Sequence, residues 1–405
     1  MPASAIRFHP PLIEISPEVR WMLLRAFGPP GAPFPGPVDP AGALAAARRF
    51  EMSPRVGARQ GRAGLSGELG AEGAVGFQRD QAAAAALGLR LLSLAGDVAA
   101  AAALLGIRLA FLKFAALEAA GFTALGMRAA CDIDVLVPED RADDLQHALL
   151  ALGWRRSGMP PSEHQLAPLG HPHGGIVEVH RMVPGVRLDG GASATLGSLA
   201  DHGLLHPLLP PWPDLPGACS APAAEVLAAH ALVHGIGQHG YWPGSYSLLK
   251  MIADLIDLRF HTDDALAGRA TALVARDVTG AEAEAVRSLC AALAAGTDLL
   301  ASQADPSSPP ALLLRHILAG RLDTEYAEAL RLGFFRSQPS DRRPAERLLR
   351  SVFGAVFLTR GQIDAVYGRP RHPLGYLGRR LARPFDLLWR LGRYAARAAR
   401  LRSGP

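Results

Sequence analysis

Apolar residues recur at spacings of three and four from Gln81 to Gly106, which predicts a helix closed by Gly106. The pattern then shortens. Ile107 to Lys113 reads as a strand leading into a helix over Phe114 to Ala120, and Asp132 to Val137 as a second strand. An amphipathic helix from Glu139 to Leu152 follows Pro138, then a short strand at Trp154 to Arg156 and another over Gly175 to Met182. Strands and helices alternating in this way predict an α/β (α+β) class: a mixed-sheet domain followed by a mainly helical one.

Outside that core the pattern changes character. Residues 1 to 80 are expected to be an irregular, Pro/Gly-rich extension, with a proline-rich joint at Pro29 to Pro37, a glycine-rich stretch at Gly57 to Gly76 and one short helix from Pro40 to Phe50. The mixed domain occupies residues 81–206. Residues 207–222, rich in proline and glycine, are expected to be a linker. Residues 223–367 read as a helical domain, with Ser220-Ala221-Pro222 opening its first helix and Thr279-Gly280-Ala281-Glu282 resembling a capping box. A basic amphipathic segment, residues 368–405, closes the chain.

Composition narrows the class further. The chain has 405 residues, 49% of them hydrophobic, enough for a substantial core and too apolar for a disordered protein. Cys131, Cys219 and Cys290 are widely spaced and odd in number, which argues against a disulfide framework and fits a reducing, cytoplasmic setting. No secretory signal pattern opens the sequence. The alanine-rich tract from Gln81 to Phe111 is interrupted by Arg90, Asp97 and Arg108, and so reads as core helix. Net charge is +5, yet ten arginines against Asp386 give +9 to the last 38 residues, from Gly368, leaving −4 elsewhere. The main body is therefore not expected to bind nucleic acid.

The candidate chemistry begins at Cys131-Asp132-Ile133-Asp134-Val135-Leu136-Val137. Alternation along a strand points Asp132 and Asp134 to one face. Two carboxylates side by side repel, and a divalent cation with a taste for oxygen, Mg²⁺ or Mn²⁺, is the natural compensation. Such a pair suits metal-assisted phosphoryl or nucleotidyl transfer. The bland reading is a pair of solvated aspartates at a strand end. Glu178 stands in a second apolar strand, Ile176-Val177-Glu178-Val179, and completes a three-carboxylate cluster if the strands are neighbours; otherwise it is an edge residue facing water. His180 lies on the same strand face as Glu178 and could support it. His230 and His234 are four apart on a helix, with His239 beyond, but no glutamate follows His230, so helix packing or a polar contact toward the nucleotide domain is expected there. His171 and His173 are expected in a solvated turn.

Leu112-Lys113, Gly126-Met127-Arg128, Asp132 to Val137, Leu152-Gly153-Trp154 and Val177-Glu178-Val179-His180 together resemble the uncharacterised nucleotidyltransferase family of the DNA polymerase β superfold. The order and spacing match from about residue 85 to 185. More weakly, Ala224 to His234 and Ile252-Ala253-Asp254-Leu255 are similar to its second domain, and Val366-Tyr367-Gly368 to its end. The resemblance implies that Asp132 and Asp134 are metal ligands, with Glu178 holding the metal and drawing the proton from an attacking hydroxyl. It places Lys113 and Arg128 at basic positions facing the nucleotide. The family usually has glycine after the lysine, where this chain has Phe114, a bulky group that could obstruct the triphosphate.

The expected activity is transfer of a nucleoside monophosphate from a nucleoside triphosphate, with Mg²⁺ or Mn²⁺, to a hydroxyl of a small molecule, sugar, peptide or protein. The rival is a catalytically impaired nucleotide-binding or interaction protein on the same fold. In the basic segment Leu374, Leu377, Leu381, Leu388 and Leu391 line one stripe and arginines the other, with Pro384 expected to bend or break the helix between them. That segment either packs on its own domain or touches an anionic surface, giving a cytoplasmic protein peripheral to the inner membrane.

Overall fold

The structure, a computed structural model, describes residues 10–159, 161–188, 191–208, 219–239, 246–301, 303–324, 326–327, 372 and 374–402. The chain divides into two units, one formed chiefly by Ile15–Gln238 and Ser247–Leu313, the other chiefly by His239–Tyr246 and Leu314–Pro405.

The first unit opens with helices where, apart from one short helix from Pro40, an irregular extension was expected. Helix α1, Pro17–Phe27, is capped by Ser16 and started by a proline at its first position. Helix α2, Pro40–Arg49, is capped by Asp39, whose carboxylate accepts from the amides of Ala41 and Gly42 at 3.3 and 2.8 Å. Helix α3 then runs from Ser53 to Leu104, broken only at Gly61 and Gly70, where φ is 62° and 76°. The glycines that read as irregularity serve instead as packing sites. A Cβ on Gly76 would lie 2.3 Å from Leu44 of α2, and one on Gly57 would lie 2.7 Å from the Phe77 carbonyl. Turn residues and close-packing residues share one composition, which is why the pattern misleads. One 18-residue window of α3 is apolar enough to cross a membrane, with 44% of it buried.

A seven-stranded mixed sheet follows. Its strands are β1 (Leu109–Phe111), β2 (Asp132–Leu136), β3 (Arg155–Arg156), β4 (Leu169–Gly170), β5 (Ile176–His180), β8 (Leu205–Pro207) and β9 (Cys219–Pro222), in the order β3-β4-β5-β2-β1-β9-β8. A small separate hairpin sheet pairs β6 (Val183–Leu188) with β7 (Ala192–Ala194). Between strands lie α4 (Lys113–Ala119), α5 (Ala142–Ala151) and α6 (Leu196–Asp201). Strands β2 and β5 are parallel, while β1 and β2 are antiparallel. The buried face of α3, including Leu91, Ala95 and Val98, belongs to the core, and α3 packs on β2, α4 and α5. The expected interruption by a linker is not met at its end: Cys219–Pro222 is strand β9, parallel to β1, so Ser220 and Pro222 belong to the sheet and the next helix begins at Ala224. Residues 209–218 of that expected linker lie outside the described residues.

Helices α7 (Ala224–Leu232), α8 (Leu248–Asp257), α9 (Asp264–Val274) and α10 (Gly280–Ala294) follow, with a π-helical turn over Val233–His239. The capping box at Thr279 and Glu282 forms, each side chain bonding the other's backbone. The expected domain boundary before these helices is replaced by continuity: they belong to the same unit as the sheet, tied to it by buried ion pairs. Helix α11, Pro309–Leu322, leads out of the first unit. The second unit contains His316, whose Nδ1 lies 2.8 Å from the Tyr326 hydroxyl, and helix α12, Leu374–Arg402. Residues 328–367 of the expected helical domain lie outside the described residues. All three cysteines are free thiols.

Candidate metal and nucleotide site

Strand β2 brings Asp134 opposite Glu178 of β5, and Leu136 opposite His180, in parallel register. Residues in register share a pleat face, so both acids and the imidazole converge on one side, along with Asp132 two residues back. Apolar partners on the other face hold the strands down: Ile133, Val135 and Val177 are fully buried. One ligand atom from each of Asp134, Glu178 and His180 lies within 4.8 Å of the others. His180 Nε2 is 3.0 Å from Asp134 Oδ1 and 3.6 Å from Glu178 Oε2.

Lys113 supplies the counter-charge. It is the first residue of α4, held at φ 45°, a left-handed conformation that a side chain adopts only when its surroundings impose it. The Leu112 amide just before it donates to the Asp134 carbonyl at 2.9 Å, fixing the turn against β2. From there Lys113 Nζ reaches Asp134 Oδ1 at 2.8 Å and Glu178 Oε2 at 4.0 Å.

Titration behaviour follows from this crowding. Burial works against charge on Lys113, but Asp134, Asp132 and Glu178 hold its pKa above the ordinary lysine value. Burial likewise opposes ionisation of Asp134, and Lys113 with His180 overcomes it, keeping that carboxyl well below the usual range. Asp132 is pushed the other way by burial and by the Asp134 charge. Burial lowers His180, while its hydrogen bonds to Asp134 and Glu178 raise it more, for a net upward shift.

Two atoms here are conspicuous. Asp134 Oδ2 and His180 Nδ1 are buried without a hydrogen-bond partner. A buried carboxylate oxygen left bare is costly, and a cation would satisfy it. Hard oxygens with one imidazole suit Mg²⁺ or, better, Mn²⁺, which accepts nitrogen more readily.

Phe114 does not fill this space. Its side chain is buried in the core, with ring atom Cζ 3.3 Å from the point where a Cβ on Gly88 of α3 would stand. The bulk expected to obstruct a triphosphate is absorbed between α3 and α4, and the absence of a side chain at Gly88 makes the room.

Arg128 lies in a buried ion pair. Its Nε lies 2.9 and 3.2 Å from the two oxygens of Asp254 on α8, in a pair only 10% and 8% exposed. Its charge also acts on the Asp132 carboxyl, holding it down against burial. His171 and His173 lie together at a turn, His171 against the edge of Trp154, as a turn reading implies.

Two further histidines border the site. The ring of His164 stacks on His180 with centroids 5.8 Å apart, because the segment around Gln165 pairs with the end of β5. Burial and the His180 charge lower its pKa to about 4. His230 on α7 is buried with Nε2 unpartnered, and burial, then Lys113, lowers it to about 3, keeping it neutral. His164 carried no sequence signal, standing in an irregular stretch without a motif. His230 read as helix packing or a polar contact toward the nucleotide domain, and its charged neighbours Lys113 and Asp134 lie in that domain.

Residues 36–191 match the model of a family described as an uncharacterised nucleotidyltransferase. No curated protein and no solved structure matches the chain. The matched segment contains Lys113, Asp132, Asp134, His164, Glu178 and His180, and begins inside the stretch expected to be an extension.

Proposed function

We propose that this chain moves a nucleoside monophosphate from a nucleoside triphosphate to a hydroxyl of an acceptor molecule. One observation carries the reading: Asp134 and Glu178 face each other in register across parallel strands, with His180 beside them and a buried Asp134 oxygen left bare. Asp132, Asp134, Glu178 and His180 would hold a divalent ion, which supplies charge neutralisation at the α-phosphate when bound.

The remaining roles fall to the protein's own groups. Lys113 keeps Asp134 ionised and offers positive charge to the phosphates. Glu178, 16% exposed and at the rim of the trio, takes the proton as the acceptor oxygen bonds to the α-phosphorus and the bond to the bridging oxygen breaks, releasing pyrophosphate. Neutral His164 and His230 wall the site and exclude water.

A second reading has its own support. Lys113 and His180 both reach Asp134 Oδ1, so the ammonium already compensates the acids as a cation would. On that reading the chain binds a nucleotide without turning it over. Pyrophosphate release from labelled nucleoside triphosphates, with Mg²⁺ or Mn²⁺ and a panel of hydroxyl acceptors, separates the two. Release abolished by Asp134→Asn supports transfer, whereas nucleotide binding indifferent to both metal and Asp132→Ala supports the second.

A further inference from the structure

Helix α12 presents six large apolar side chains to solvent: Leu374, Leu377, Leu381, Phe385, Leu388 and Trp389, each between 56% and 72% exposed. At about 100° per residue these positions fall within one stripe about 120° wide. The stripe stays in phase on both sides of Pro384. Arg379 and Arg380 occupy positions on the opposite side of the helix, where Arg383 is buried against Asp386. From Gly368 to Pro405 there are ten arginines and one acid, Asp386, which pairs with Arg383 at 3.2 Å.

An exposed apolar stripe of this size calls for a cover, and the charge selects it. A second copy of the helix would cover the stripe but add ten more arginines and only one more acid, so it does not answer the charge. A single-stranded nucleic acid would engage the arginine side, where Tyr376 also lies, but would leave the leucine stripe bare. Anionic phospholipid answers both faces at once: acyl chains receive the stripe, aromatic rings settle at the headgroup level, and phosphates meet the arginines. We propose that α12 is an interfacial anchor that lies on an anionic phospholipid surface. The inference is independent of nucleotidyl transfer and survives if that reading fails.

Flotation of the full chain with phosphatidylcholine vesicles, with and without phosphatidylserine, is the test. The protein should float with the anionic vesicles only, and salt should release it. Leu381→Glu with Leu388→Glu should weaken partition by more than about ten-fold, and each of Arg379→Gln and Arg380→Gln by about five-fold. Brominated lipid should quench the unmodified protein more than Trp389→Phe, a comparison that needs no disruptive variant. Equal flotation with neutral vesicles, no quenching difference, a stripe-dependent dimer that ignores lipid, or binding to RNA without binding to vesicles would each overturn the proposal.

Discussion

The first unit buries two clusters of opposite charges, and they are finished differently. Around α8, Arg55 grips Asp257 through two bonds of 2.7 and 2.8 Å, Thr123 adds a third at 3.0 Å, and the Arg55 Nε donates to the Ala26 carbonyl. Arg128 holds Asp254 one turn earlier on the same helix. Both Asp257 oxygens are thus satisfied. Across β2 and β5 the charges are as deeply buried, yet Lys113 and His180 crowd onto one oxygen of Asp134 and leave the other bare. Fork-shaped arginines close a structural pair, whereas a point-charge lysine and an imidazole leave coordination capacity open. A complete pair holds elements together; an incomplete one can take a ligand.

The largest expected effect lies in the closed cluster. Arg55→Ala strands Asp257 in a buried setting and should cost about 3–5 kcal/mol in denaturant unfolding. Activity per folded molecule should be unchanged. Asp134→Asn should shift the balance, reducing pyrophosphate release by at least about 10²-fold while costing less in denaturant unfolding than Arg55→Ala. If Asp134→Asn destabilises as much as Arg55→Ala, the trio is a structural pair in disguise and the contrast is lost.

The two clusters were unequally legible. Strand alternation put Asp132 and Asp134 on one face, and an acid in an apolar strand marked Glu178, because a period of two survives any tertiary context. The partner of Arg128 was not legible, since Asp254 stands 126 residues away on a helix whose docking no local pattern encodes. His164 was invisible for a similar reason: it reaches the site through an isolated bridge, not a strand. Before residue 80 the helix from Pro40 was legible, but α1 and the first part of α3 were missed, the latter because glycine at a helix contact and glycine in a loop look alike. Gly88 gives that point a measurable form. A Cβ there would meet Leu125 at 2.9 Å and the Phe114 ring at 3.3 Å, so Gly88→Ala should cost about 1–3 kcal/mol by overpacking. Adding Phe114→Leu should recover part of that loss, as expected for residues in contact.

The smallest effect tests the joint between the clusters. Helix α4 carries Lys113 to the open site at its start and Glu118 toward Arg128 and Asp257 near its end. Glu118 Oε1 is buried without a partner, and burial, partly offset by Arg128 and reinforced by Asp257, raises its pKa from 4.5 to about 7. In the unfolded chain it titrates near the ordinary value, so between pH 4.5 and 7 the folded state binds the extra proton. Stability should therefore fall as pH rises through that window and level off above it, by about 1–2 kcal/mol once solvent screening is allowed for. Glu118→Gln keeps the shape and removes the charge, so chemical unfolding at pH 5 and pH 8 should differ less in the variant by about that amount. An unchanged difference would mean that Arg128 already neutralises Glu118, making it a third member of the closed cluster and moving the boundary between the two regions up α4 toward Lys113.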